Sequence, residues 1–331
     1  MSSIAPLSRQ RLINTLLVLI LLTLMMFAMS LCWGSTAFRP WHIWQTNEQG
    51  IIAREVILEL RLPRTLAAFA VGGLLAVAGA LQQILLRNPL ADPYILGTSG
   101  GASVGALTAL LLGASTMAVN LSAAIGAWLS ILIVFVLAGR DYSTSQARLL
   151  LTGVAVAAFC GAISSLLLSL APDGLLRGMV FWLLGDLAGA QWPIALTTLA
   201  LLMLVLWPFA RQLTLLSLGQ QTAHGLGVNI EQQQRLLYFL AAIATAAAVV
   251  TAGMIGFVGL IVPHALRLIV GQDQRILLPA CAFGGGIVLL AADILARVLL
   301  APQQLPVGVI TALLGAPAFL WLLQHQHKRR A

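Results

Sequence analysis

Charge is scarce in this chain. Only 8% of its 331 residues are Asp, Glu, Lys or Arg, while 60% are hydrophobic; an ordinary soluble domain carries about 25% charged residues. A soluble fold of this length cannot hide so much apolar surface, so the soluble class is excluded and the solvent is lipid. Cysteine is nearly absent. Cys32, Cys160 and Cys281 lie scattered in apolar sequence with neither metal-binding nor redox spacing, which leaves them as small buried hydrophobes. No G-x-x-x-x-G-K-[ST] stretch occurs, so the chain carries no phosphate loop. It has no nucleophile–base constellation, which speaks against an enzyme. Mid-span groups of Asp, Glu or His, of the kind ion-coupled pumps use, are also missing.

What is there is a series of apolar runs. Uncharged stretches of spanning length lie at Leu12–Cys32, Thr65–Leu86, Met117–Ala138, Leu149–Ala171, Trp192–Phe209, Ile276–Ala292 and Leu305–Leu323. Ser99–Leu112 is shorter and Gly-rich, and reads as a short or partly re-entrant span. Leu236–Leu266 is too long for one helix, and Gly253, Gly256, Gly259 and Pro263 divide it into a full span and a short one. The expectation is an all-α polytopic membrane protein of about ten helices, in a single domain over residues 1–331. The first span exceeds the usual apolar length of a signal peptide and lacks an A-x-A site, so it is expected to stay. Arg9 and Arg11 before the first span, and Lys328 to Arg330 after the last, predict both termini on the cytoplasmic side. Threading ten spans then puts twelve of the 18 Lys and Arg residues inside. Topology thus explains the net charge of +8, and nucleic-acid binding has nothing left to explain.

Three features interrupt this pattern. "LRNPLADPYILGTSGGASVGA", residues 86–106, places Asn88-Pro89 and Asp92-Pro93 four residues apart between two apolar runs. The prolines disfavour helix at Asn88 and Asp92, whose side chains are then expected to cap the freed backbone groups. Small residues crowd several spans; packing accounts for most of them, while Thr152, Ser164, Ser165 and Ser169 are candidates to line a mildly polar path. The third feature is "LSLGQQTAHGLGVNIEQQQR", residues 216–235, too polar to span. Leu218, Ala223, Leu226 and Val228 form an apolar set there, with a glycine turn at Gly225–Gly227. A compact surface helix of this kind suits docking to a soluble partner. A plain interfacial helix is the alternative, though the segment holds few cations for lipid.

At this point the sequence resembles a known family, the iron-complex and cobalamin permeases of type II ATP-binding-cassette importers. The resemblance is carried by "RLPRTLAAFAVGGLLAVAGALQQ" (61–83), "NPLADPYILGTSGGA" (88–102), "LLLTGVAV" (149–156) and "FWLLGDLAGAQW" (181–192). It continues through "SLGQQTAHGLGV" (217–228), "GFVGLIVPHALRL" (256–268), "LLAADILAR" (289–297) and "LPVGVITALLGAPAFLWLL" (305–323). It implies ten helices per subunit, a homodimer with a central path, two cytoplasmic ATPase subunits that bind ATP-Mg, and a periplasmic substrate-binding protein. The setting is the bacterial inner membrane with its lipid, and the chain itself holds no cofactor or metal. Coupling helices would fall at about 214–230, with Leu218, Gly219, Ala223, His224, Leu226 and Gly227 against the ATPase.

The resemblance also bears on single residues. Arg61, Arg64 and Arg297 read on their own as interfacial anchors; the family would use them to receive acids of the binding protein. Asp293 and Arg297, four apart, are expected to form an exposed pair worth little, leaving Arg297 open to a partner. The fifth helix, Leu149–Ala171, would line the path, and Ser143, Thr144 and Ser145 resemble an inner gate. Gln220 stands where many members carry an acid, and His224 where some carry arginine. The cargo implied is an iron complex, a ferric siderophore or haem, with cobalamin as the alternative; a stand-alone secondary transporter is the rival from another class.

Overall fold

The computed structural model describes residues 9–35, 40–138 and 146–330. Every regular element among them is helical. In chain order these are α1 (Arg9–Cys32), α2 (Glu48–Glu55), α3 (Leu62–Leu85), α4 (Thr98–Leu111), α5 (Thr116–Ala138), α6 (Gln146–Ser169) and α7 (Asp173–Leu184). Then follow α8 (Trp192–Leu206), α9 (Ala210–Leu218), α10 (Gln220–Gly225), α11 (Ile230–Ala252), α12 (Val258–Val270), α13 (Gln274–Val298) and α14 (Val307–Arg330). Seven helical stretches are long and apolar enough to cross a membrane. Three shorter apolar helices, α4, α12 and Val307–Leu322 of α14, fall on the remaining expected runs. At 14 residues α4 is about 21 Å long, less than the hydrocarbon core of about 30 Å.

Two boundaries differ from the sequence expectation. The second span begins much earlier: α2 runs through a π-helical turn at Val56–Arg61 straight into α3, a continuous helical stretch from Glu48 to Leu85. Glu48, Arg54, Glu55, Glu59, Arg61 and Arg64 broke the apolar run that would have announced it. The amphipathic α7, which follows α6 directly, was not anticipated either. The division of Leu236–Leu266, by contrast, occurs where the glycines put it. Helix α11 ends against Gly253 (φ 68°), and α12 starts after Phe257, a non-glycine residue at φ 70°.

Helix α3 is the axis of the bundle. It packs against α13, α11, α8 and α12, and almost its whole length is buried. Lipid offers no hydrophobic drive for helices to associate, so close van der Waals approach must supply it. At Gly72 and Gly285 the two backbones come so near that a Cβ on either would collide with the other's carbonyl.

Chain direction fixes which features share an end of the bundle. The C-terminus of α1, the start of α3, the end of α13 and the segment before α14 all meet around Arg64. The opposite end carries α9 and α10, the start of α13 and the opening of the loop between α3 and α4. It also holds the start of α1 and the end of α14.

Candidate functional site

At the Arg64 end, four segments converge on one buried carboxylate. Asp293 is 0% exposed. Its Oδ1 accepts from Arg64 Nε at 2.7 Å, and its Oδ2 lies 3.0 Å from Arg297 Nε. Arg64 also donates to Gln304 Oε1 at 2.7 Å and lies 3.8 Å from Asp186. The guanidiniums further close the end of α1. Arg297 donates to the carbonyls of Ser30 and Trp33, at 3.2 and 3.1 Å, and to Ser30 Oγ at 2.8 Å. Arg61 donates to the carbonyls of Leu31 and Cys32, at 2.7 and 3.2 Å, and Trp33 N donates to Met29 O at 2.8 Å. A helix ends with four carbonyls lacking an intrahelical partner. Here Met29, Ser30, Leu31 and Cys32 are all satisfied, two of the donors being cations at the negative pole of the helix.

This corrects the expectation of an exposed Asp293–Arg297 pair. Arg61, Arg64 and Arg297 are only 4%, 8% and 3% exposed, and all three are engaged within the chain. The spacing of Asp293 and Arg297 suggested their contact, but Arg64 lies 229 positions from Asp293 and α1 supplies the rest.

The opposite end presents the segment singled out for docking. Helix α9 buries Leu213 and Leu216, and it is tied to the start of α13. Thr214 Oγ1 accepts from Gln274 N at 2.9 Å and lies 3.5 Å from Asp273 Oδ1. Gly219 (φ 133°) and Gly227 (φ 81°) open and close the turn around α10, in conformations that side chains avoid. The expected apolar set divides into two. Ala223 and Val228 are buried, Ala223 fully. Leu218 and Leu226 are 58% and 63% exposed, alongside exposed His224 and Gly227. A firmly held turn therefore shows two leucines to the outside.

The loop between α3 and α4 caps itself as its sequence suggested. Asn88 Oδ1 accepts from Leu90 N at 2.9 Å, and Asp92 Oδ1 from Tyr94 N at 2.8 Å. Burial holds the Asp92 carboxyl above its ordinary value, against the pull of the Tyr94 N–H. A folded value above the unfolded one favours folding most below the unfolded value of about 4, and that contribution is lost as pH rises through the folded value. Stability from this group is therefore lower at neutral pH than near pH 4. Asp92→Asn keeps an acceptor for Tyr94 N, so its thermal unfolding midpoint is expected above wild type at neutral pH. The difference should shrink toward about pH 4; a variant that melts below wild type at neutral pH refutes the assignment.

The path candidates on α6 do not share one face. Ser165 and Ser169 are exposed, and their hydroxyls donate to the Gly161 and Leu166 carbonyls at 3.0 and 2.8 Å. A Cβ on neighbouring Gly161 would meet nothing within 4 Å. Ser164 turns into the bundle, 6% exposed, and Thr152 is half-buried. An apolar cleft of about 640 Å³ lies between α4, α5 and α6, against Gly105, Ile125, Val156 and Phe159. Ser143, Thr144 and Ser145 lie outside the described residues. Among the described residues no group of three or more His, Cys, Asp or Glu could hold a metal ion.

A family model described as the FecCD transport family matches residues 20–325. The chain belongs to the FecCD transport family. This FecCD chain is 42% identical over 306 residues to the hemin transport system permease protein HmuU of Yersinia pestis, covering 90% of this chain and 87% of that protein. It is 43% identical to the cobalamin import system permease protein BtuC of Halobacterium salinarum, covering 84% and 75%. With the vitamin B12 import system permease protein BtuC of Salmonella typhi it shares 39% identity over 98% of both chains. A solved metal-chelate type ABC transporter in an inward-facing conformation superposes with a TM-score of 0.84 and 31% identity, covering 94% of this chain and 99% of that one. The chain is thus a permease of an ABC importer, all-helical and built for the membrane.

Proposed function

We propose that this permease carries an iron complex, a ferric siderophore or haem, from the periplasm to the cytoplasm across a bacterial inner membrane. It works as a homodimer with two ATPase subunits and a periplasmic binding protein, and the three short apolar helices complete ten crossings per subunit. The observation that carries the cargo reading is the likeness to a hemin permease over 90% of the chain. Cobalamin is the second reading, favoured by the vitamin B12 permeases that match along 98% of it. Both termini are cytoplasmic in this proposal, which puts α9 and α10 on the same side as ATP. The exposed Leu218 and Leu226 support that seat, with Gly219, Ala223, His224 and Gly227 shaping it. The exposed small face of α6 around Gly161 and Ser165 suits the central path between two copies.

The binding protein is assigned to the Arg64 end, where Arg64 stands against Asp186 and Asp293, Arg297 against Asp293, and Arg61 closes the end of α1. Contact of Arg64 or Arg297 with an acid of that protein requires the clasp on Asp293 to open, and contact of Arg61 requires it to leave the carbonyls at the end of α1. The proposal is tested in vesicles holding this chain, its ATPase and its binding protein, offered haem, a ferric siderophore and cobalamin in turn. ATP-dependent uptake of an iron complex is expected, with no hydrolysis by the chain alone. Uptake of cobalamin only would overturn the cargo, and hydrolysis by the isolated chain would overturn the division of labour.

A further inference from the structure

Two breaks between α-helices enter this bundle, residues 86–97 between α3 and α4, which hold one 3-10 turn at Pro93–Leu96, and the irregular residues 253–257 between α11 and α12. Such backbone is tolerated at membrane depth only where protein buries it or water reaches it, because its polar groups need partners. The two stretches meet at one side chain. The Tyr94 hydroxyl donates to Ile255 O at 3.1 Å and accepts from Ile255 N at 2.9 Å. Both backbone polar groups of a residue outside any helix are thereby satisfied by a single phenol. Next to it, Pro93 packs so closely on Gly259 that a Cβ there would collide with the ring.

Each stretch is anchored elsewhere as well. Gly97 O accepts from Ser130 Oγ at 2.7 Å, and Asp92 holds the Tyr94 amide. Around the second stretch, Asp186 N donates to Ala252 O at 2.9 Å, and Gly185 packs against the Met254 carbonyl. Connectivity then closes a circuit. Helix α11 starts just past the α10 turn and ends at this break, while the loop that bears Tyr94 opens at the same end of the bundle as α10.

We infer that Tyr94 is a positioning residue for transport, pinning the 253–257 break to the 86–97 loop so that the two shift together when α10 and α11 are driven. The inference rests on the proposed ATPase seat at α10. Without the hydroxyl, the Ile255 N–H and C=O lose their partner and the break is free to move apart from the loop. ATP hydrolysis then continues while less cargo crosses per ATP.

The test uses the full transporter in vesicles, comparing wild type with Tyr94→Phe. Co-purification of the ATPase is expected to be unchanged, and cargo moved per ATP to fall roughly fivefold or more, the scale of one lost buried hydrogen bond. A purely structural role would lower transport and hydrolysis in proportion; an unchanged ratio overturns the inference. Failure of the docking reading looks different, because the wild-type chain itself would then not retain the ATPase through α10. A second measurement does not depend on the variant. Amide exchange at Ile255 in the wild-type transporter is expected to be as slow as in the last turns of α11, and rapid exchange there overturns the pin.

Discussion

Asp293→Ala is expected to destabilise the folded chain by about 3–5 kcal/mol, the scale on which removal of one member of a buried ion pair is felt. The carboxylate is fully buried between Arg64 and Arg297, so its loss leaves two guanidiniums facing each other without the acid that neutralised them. Asp186, 3.8 Å from Arg64 and partly exposed, is poorly placed to substitute. The damage should spread to α1, whose terminal carbonyls depend on Arg61 and Arg297 for their donors. Arg297→Met made in the Asp293→Ala background is expected to cost less than Arg297→Met alone, because the carboxylate that Arg297 pairs with is already gone. The exposed pair Arg235–Glu231 is the internal control, and breaking it should cost no more than about 0.5 kcal/mol. Reversible unfolding in mixed detergent measures all four variants against wild type. Stability of Asp293→Ala within about 0.5 kcal/mol of wild type would show that the cluster is not the clasp its geometry describes.

The helices were legible because lipid imposes a simple rule: a span must be apolar for most of its length. That rule found α1, α5, α6, α8 and α13, and Gly253 and Gly256 marked the break between α11 and α12, while Gly259 and Pro263 lie inside α12. It failed where an element lies outside the apolar core. Six charged residues concealed the stretch that enters α3, and the amphipathic α7 carries Asp173 and Arg177, four positions apart. The polar sites were legible only as far as their partners are local. Asn88 and Asp92 cap residues two positions on, so the spacing was enough. Arg64 with Asp293, and Tyr94 with Ile255, are joined across 229 and 161 positions. Nothing in the local pattern names such a partner. The α10 segment lies between these cases: its polarity and glycines announced a surface turn, but only packing could tell buried Ala223 from exposed Leu226.

That distinction decides the second large effect. Leu226→Arg is expected to abolish retention of the ATPase while leaving the permease folded, because the side chain is 63% exposed and its replacement finds water rather than protein. Central apolar anchors at protein interfaces typically cost 2 kcal/mol or more when removed, roughly a thirtyfold loss of affinity, and a buried unpaired cation adds to this. Leu218→Arg, 58% exposed on the same turn, is expected to act in the same direction. Ala223→Arg separates docking from folding. That position is fully buried at the base of α10, so the arginine would force the turn off α9 and α11 and lower the yield of folded protein. Size-exclusion profiles and ATPase co-purification read the two effects independently. If Leu226→Arg and Leu218→Arg both retain the ATPase at the wild-type ratio, the seat lies elsewhere on this end of the bundle. If either loses the ATPase only in proportion to misfolded protein, the leucines hold the turn together and do not bind a partner.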